Sequence, residues 1–143
     1  MKNIFRFRLR RKKDRHVAIS QHVPPPPLAQ ALIQGYLKGM RDQLTSTGQD
    51  PETPLSSQAR EQLEDDCVRF YLQTAGFLVR SADQAYRAGY DFYQARNGDE
   101  YGFPEEFWPG STGFTLSNVA AKFNESHPIE GDDGLIYLSQ EAA

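Results

Sequence analysis

From Leu28 onward, apolar side chains return every four residues: Leu28, Leu32, Tyr36, Met40 and Leu44, with Ile33 and Leu37 widening the stripe. That period predicts an amphipathic helix running to about residue 45, with Pro27 suited to its first turn. Gly35 and Gly39 are poor helix formers, but they would let a second helix approach closely. TSTGQDPETP reads as a loop, after which Ser56 or Ser57 caps a second helix. Leu63, Cys67, Phe70 and Thr74 mark one face of that helix. Val68, Tyr71, Leu72 and Ala75 broaden it, so it is expected to be central, and Gly76 loosens it before Arg80. Ser81 with Gln84 is a capping box that opens a third helix over about 82–96, and Asn97-Gly98 closes it with a left-handed cap. Along this helix Ala85, Gly89 and Phe92 form one row and Tyr86, Tyr90 and Tyr93 another. Asp83, Arg87 and Asp91, four residues apart, form an expected ion-pair ladder.

The two ends of the chain read differently. IFRFRLR alternates strictly, with Phe5, Phe7 and Leu9 on one side and Arg6, Arg8 and Arg10 on the other, which is the period of a strand. RKKDR is a turn and HVAIS a second strand. A two-stranded hairpin is marginal in water, so its Phe row needs the rest of the protein or a partner. Pro24–Pro27 form a stiff polyproline II spacer. After the third helix, DEYGFPEEFWPGSTGF is too rich in Gly and Pro for a regular element. Its Tyr101, Phe103, Phe107, Trp108 and Phe114 are too apolar for a solvated loop, so it is expected to pack on the helices. Leu116, Val119, Ala120 and Phe123 predict a short fourth helix over about 116–125. GDDG is a turn, and LIYL a short strand expected to pair with the N-terminal hairpin. There is no internal repeat. The predicted fold is α+β: a mostly helical single domain of three to four helices, with a short N-terminal β-hairpin and a C-terminal strand. It divides into a basic arm (1–23), a Pro linker (24–27) and a helical core (28–143).

Charge sharpens that division. Residues 1–15 hold eight basic residues and one acid, a net of +7, whereas the remaining 128 residues hold eight basic and eighteen acidic, a net of −10. Such asymmetry implies a basic arm on an acidic body, or an arm that folds against that body. No window has the run of roughly 18 apolar residues that a membrane span needs. No apolar signal segment follows the basic N-terminus. The single cysteine, Cys67, cannot form an internal disulfide. A reduced, cytoplasmic protein without a membrane partner is expected.

Candidate chemistry is sparse. Asp91, Arg96, Asp99 and Glu100 gather carboxylates near aromatics, a setting for acid–base work if burial raised one pKa, against a structural reading as ion pairs and a helix cap. Cys67 follows Glu64, Asp65 and Asp66, which would raise its pKa, so a buried core thiol is expected. His16, His22 and His127 lie in separate segments without ligand spacing, and no metal or cofactor is expected. No phosphate loop, nucleophile elbow or dinucleotide fingerprint is present. The plain electrostatic feature is the cationic arm, with Arg6, Arg8, Arg10, Arg11, Lys12, Lys13 and Arg15. It could grip phosphates in a salt-dependent way, although the acidic body would repel a second nucleic-acid contact.

GYDFYQARNGDEYGF, residues 89–103, carries a resemblance. The segment from about Leu32 to Leu138 resembles a family of small proteins encoded by tailed bacteriophages, prophages and conjugative plasmids, whose core reads close to GHDFWLTRNGHGAGFWD. The matching residues are Gly89, Asp91, Phe92, Arg96, Asn97, Gly98, Gly102 and Phe103. LIQGYLKGM and DDCVRFY look like the family's earlier helices, and FTLSNVAAKFNE and GDDGLIYL like its closing segments. The family's two motif histidines are Tyr90 and Asp99 here, and its GFWD becomes GFPEEFW. The resemblance implies an origin, a phage or mobile-element accessory protein in a bacterial cytoplasm, and no assigned activity.

Three functional readings follow. The first is a non-enzymatic accessory protein that binds a host or phage macromolecule, by analogy with acidic phage proteins that block defence or nucleic-acid-handling machinery. The second is direct nucleic-acid binding through the arginine–lysine arm. The third is a small enzyme centred on Asp91 and Arg96. The oligomeric state stays open.

Overall fold

A computed structural model describes residues 24–77, 81–99 and 102–140. In order they form α1 (Pro27–Ser46), α2 (Ser57–Thr74), α3 (Ala82–Arg96), α4 (Thr112–Ala120), β1 (Ser126–Glu130) and β2 (Ile136–Gln140). The fold is a helical α+β domain with a two-stranded antiparallel sheet. The N-terminal hairpin expected over residues 1–23 lies outside the described residues.

The helix boundaries follow local chemistry. Pro27 starts α1, where its missing N–H costs nothing. Ser56, rather than Ser57, caps α2: its Oγ accepts from the Ala59 N–H at 3.0 Å. Ser81 Oγ accepts from the Gln84 N–H at 3.1 Å to open α3, and Gly98 takes φ +94° just past its end. The expected ladder on α3 forms only in part: Arg87 pairs with Asp91, with no ion pair between Asp83 and Arg87.

Among the described residues, the closest helix packing is between α1 and α3, and glycines permit it. A Cβ added at Gly35 would sit 1.8 Å from the carbonyl oxygen of Tyr86, and one at Gly89 would sit 1.8 Å from that of Leu32. Each helix therefore seats its glycine on the other's backbone. Around this crossing, Tyr36 meets Phe92 and Tyr93 at centroid distances of 5.4 and 5.1 Å, and Phe92 stacks on Phe70 of α2 at 4.2 Å. α2 is less central than its apolar residues suggest. Leu63, Cys67, Phe70 and Thr74 are buried, but Ala75 is exposed and Leu72 is 67% exposed. Burial raises the Cys67 thiol pKa, with the Asp66 charge adding to it.

Two expectations are corrected downstream. The fourth helix begins four residues earlier than its apolar spacing implies, at Thr112, and ends at Ala120. TGFT reads as loop by composition, but Gly113 tucks against Phe103 and Trp108, where a Cβ would lie 2.7 Å from the Phe103 carbonyl oxygen. Leu116 and Ala120 then face the core, and a tight turn brings Phe123 in behind them. The closing strand β2 pairs with β1, not with an N-terminal hairpin, in the register Pro128↔Leu138 and Ile129↔Tyr137. Pro128 lies within β1 and stands opposite Leu138, whose N–H points outward to Gln58 Oε1 at 3.1 Å. That pair exchanges no ladder bonds, so the missing proline N–H is harmless. The other side of β2 meets the chain before α2, through Ile136 N–H to Pro54 O and Ser56 N–H to Ile136 O, both 2.8 Å.

Two buried phenols give the fold an alkaline limit. Burial raises the pKa of Tyr36 and of Tyr93, opposed in each by the nearby Arg96 charge. Tyr93 donates to Gln43 Oε1 on α1. Unfolded tyrosine ionises near pH 10. A raised folded pKa contributes stability that is complete below that value and is lost progressively as pH climbs from it through the raised folded value. Above about pH 10, phenolate absorbance from these two residues is therefore expected to rise together with loss of helical circular dichroism, not before it. Full ionisation of every tyrosine in a still-helical protein would contradict this.

Candidate functional site

Asp91, Arg96 and Asn97 of the α3 motif sit in two polar clusters. The first is built on Arg96, at the last turn of α3. Its Nη1 lies 2.8 Å from Asp66 Oδ2 on α2, and the two side chains are 2% and 3% exposed. Nη1 also donates to Tyr36 OH at 3.3 Å, and Nε and Nη2 donate to the Asn124 carbonyl at 2.9 and 2.5 Å. The guanidinium lies over Phe92 and Phe123, 5.4 and 5.5 Å from their centroids. Burial works against the Arg96 charge, but Tyr36 and Asp66 more than offset it and its pKa is raised. Asp66 Oδ1 accepts from Gln62 Nε2 at 3.0 Å and Arg69 Nη1 at 2.9 Å. Asn97 extends the cluster: its Oδ1 accepts from the Ser126 N–H at 2.9 Å while its Nδ2 donates to Tyr93 O at 3.0 Å. Arg96 and Asn97 thus lash the segment between α4 and β1 to the end of α3.

The second cluster is built on Asp91. Asp91 Oδ2 accepts from Arg87 Nε at 2.9 Å and Trp108 Nε1 at 2.7 Å. Burial raises its pKa, and the bonds from Arg87, Trp108 and the Phe103 backbone act against that rise. Asp91 and Arg96 are engaged with different partners, and no hydrogen bond joins them. Of the two further acids grouped with them, Asp99 sits past the end of α3, its N–H donating to Gln94 O at 3.0 Å and its carbonyl accepting from the Gly102 N–H at 3.1 Å, and Glu100 lies outside the described residues. Phe103 is buried in a left-handed conformation, φ 60°, and packs on Phe70 and Trp108. Gly102 passes so close to α3 that a Cβ would lie 2.8 Å from that of Ala95. Every one of the eight matching residues therefore holds helix ends or helix contacts.

Above the Asp91 cluster lies an open surface. The Arg87 guanidinium is 3.8 Å from the centroid of Phe107 and 5.9 Å from that of Tyr90. Phe107 is 52% exposed and Tyr86, one residue from Arg87, is exposed beside it in sequence. The Tyr90 hydroxyl donates to Asp42 Oδ2 at 3.0 Å, and Lys38 pairs with Asp42 at 2.8 Å, which extends the surface onto α1. Phe107 and Phe114 were both expected to pack inward with Trp108, but Phe114 is 71% exposed. Only Trp108 does, because its indole N–H needs Asp91, and the turn that turns Trp108 in turns Phe107 out.

The cationic arm residues Arg6, Arg8, Arg10, Arg11, Lys12, Lys13 and Arg15 lie outside the described residues. Asp66, Tyr36, Trp108 and Asn124 were missed as partners. Asp66 had a signal: it falls on the α2 stripe with Ala59, Leu63, Cys67 and Phe70, where a charge has to find a counter-ion. Among the described residues, no three His, Cys, Asp or Glu side chains are grouped to hold a metal ion, and no helix is long and apolar enough to cross a membrane. No known family model matches the chain, and no curated protein or solved structure matches it either.

Proposed function

We propose that this chain is a non-enzymatic accessory protein of a phage or mobile element. It acts in the bacterial cytoplasm by binding a host or phage macromolecule, foremost a protein of defence or nucleic-acid-handling machinery. The observation that carries the reading is the Arg87 clamp. One face of its guanidinium covers Phe107, its Nε is anchored on buried Asp91, and Tyr86 and Phe107 stay open to solvent. Tyrosine, arginine and large aromatics are the side chains that dominate binding energy at protein interfaces. The aromatic and guanidinium groups are also held in place before any partner arrives, which lowers the ordering cost of association. The acidic excess outside the first fifteen residues suits a partner with a cationic surface.

The test is a comparison of the wild type with Arg87→Ala/Phe107→Ser as bait in a bacterial lysate, with quantitative mass spectrometry. A partner held through this surface is expected to fall by about tenfold or more, the loss of one or two hot-spot residues. Equal recovery on both baits, or none on either, would sink the reading.

The net +7 of residues 1–15 favours a second reading, nucleic-acid binding by the arm. A gel shift at two salt concentrations decides it: binding at low salt that weakens steeply at high salt is expected, and no shift at low salt refutes it.

A further inference from the structure

The described chain begins in a groove. Pro24, Pro25 and Pro26 form one wall, and Glu61, Glu64, Asp65 and Val68 of α2 form the other, around a volume of about 420 Å³. One turn beyond Val68 on the same side of α2 stands Leu72, 67% exposed. This outer face of α2 therefore has an acidic half near its start and an apolar half near its end. Among the described residues Glu61 has no ion-pair partner, while Glu64 meets Arg60 only at 3.6 Å and Asp65 meets Arg69 at 3.5 Å.

We propose that this groove and the α2 face beyond it are the docking site for the chain's own basic arm, residues 4–15. Three things select that occupant. The chain outside the structure ends at the groove itself, since Pro24 lines it. Arg15 is nine residues upstream, a reach of about 30 Å when extended, which exceeds the whole length needed. The arm also carries both chemistries that suit this face: Phe5, Phe7 and Leu9 on one side of its strand for Val68 and Leu72, and Arg11, Lys12 and Lys13 of the turn that follows, nearer to Pro24, for Glu61, Glu64 and Asp65. Docked, the arm neutralises the face and hides its cations. A polyanion would have to displace it, so the contact acts as an intramolecular brake on any phosphate binding by the arm.

Zero-length carbodiimide cross-linking of the full chain, using an equal mixture of ¹⁴N- and ¹⁵N-labelled protein, tests this. The expected result is links from Lys12 or Lys13 to Glu61, Glu64 or Asp65 within single-isotope peptides. These should fall several-fold in high salt and in Arg11→Gln/Arg15→Gln, which leaves the linking groups intact. Links that join the two isotopes show an arm seated on a second copy and overturn the proposal. So do links mainly to other carboxylates, an absence of arm links, or yields that ignore both salt and the arginine changes.

Discussion

Gly89→Ala is expected to destabilise the fold by about 3 kcal/mol or more, the upper range for overpacking, lowering the melting temperature by roughly 10 °C. In an ordinary exposed helix the same change would help, since alanine is favoured over glycine by about 1 kcal/mol. The sign reverses here because the new methyl would lie 1.8 Å from the carbonyl oxygen of Leu32, and backbone cannot swing aside as a side-chain tip can. The two helices would have to part, loosening Tyr36, Phe92 and Tyr93 together. Gly35→Ala meets the Tyr86 carbonyl at the same 1.8 Å and should cost as much. Gly39→Ala meets only the Tyr93 side chain, at 3.1 Å, and should cost less. Gly76→Ala, with nothing within 4 Å, should be neutral or slightly stabilising. Thermal melts of the four variants would check the order. A Gly89→Ala melt at or above that of Gly76→Ala would show that α1 and α3 do not cross as described.

Arg96→Ala is the second large effect. It leaves Asp66 buried at 3% exposure with its charge partner gone, and it strips two donors from the Asn124 carbonyl. Breaking a buried pair from one side costs about 3–5 kcal/mol, chiefly from the abandoned charge. Removing both charges with side chains of similar volume, Asp66→Leu/Arg96→Met, should recover most of that loss. Denaturant titration of the single and double variants separates the cases. A double variant no more stable than Arg96→Ala would mean that the bonds to Asn124 and Tyr36, and not the ion pair, hold this corner.

Much of the helical scaffold was legible because its signals are local. The four-residue return from Leu28 to Leu44, the Ser81 cap and the Asn97-Gly98 stop depend on neighbours in sequence, and α1 and α3 follow them closely. Elements decided by distant contacts were not legible in that way. α4 starts among Ser, Thr and Gly because Gly113 fits against Phe103 and Trp108. β1 tolerates Pro128 because its partner Leu138 turns its N–H to Gln58, eighty residues away in a different element. The sites divide the same way. Asp91 and Arg96 stood out by type and spacing, but their roles depended on Trp108 and Asp66, which no local pattern ties to them. The Arg87–Phe107 surface joins two segments twenty residues apart and showed in sequence only as an expected ladder and an apolar loop.

Under the proposed function, the motif residues serve the fold and the Arg87 surface would bind the partner. The most direct measurement sets two folded variants side by side, Asp66→Leu/Arg96→Met and Arg87→Ala/Phe107→Ser, each checked by circular dichroism, and measures affinity for the partner that the wild type captures. The buried-pair variant is expected to bind like the wild type and the surface variant to lose about tenfold or more. A folded buried-pair variant that loses binding while the surface variant keeps it would contradict the account.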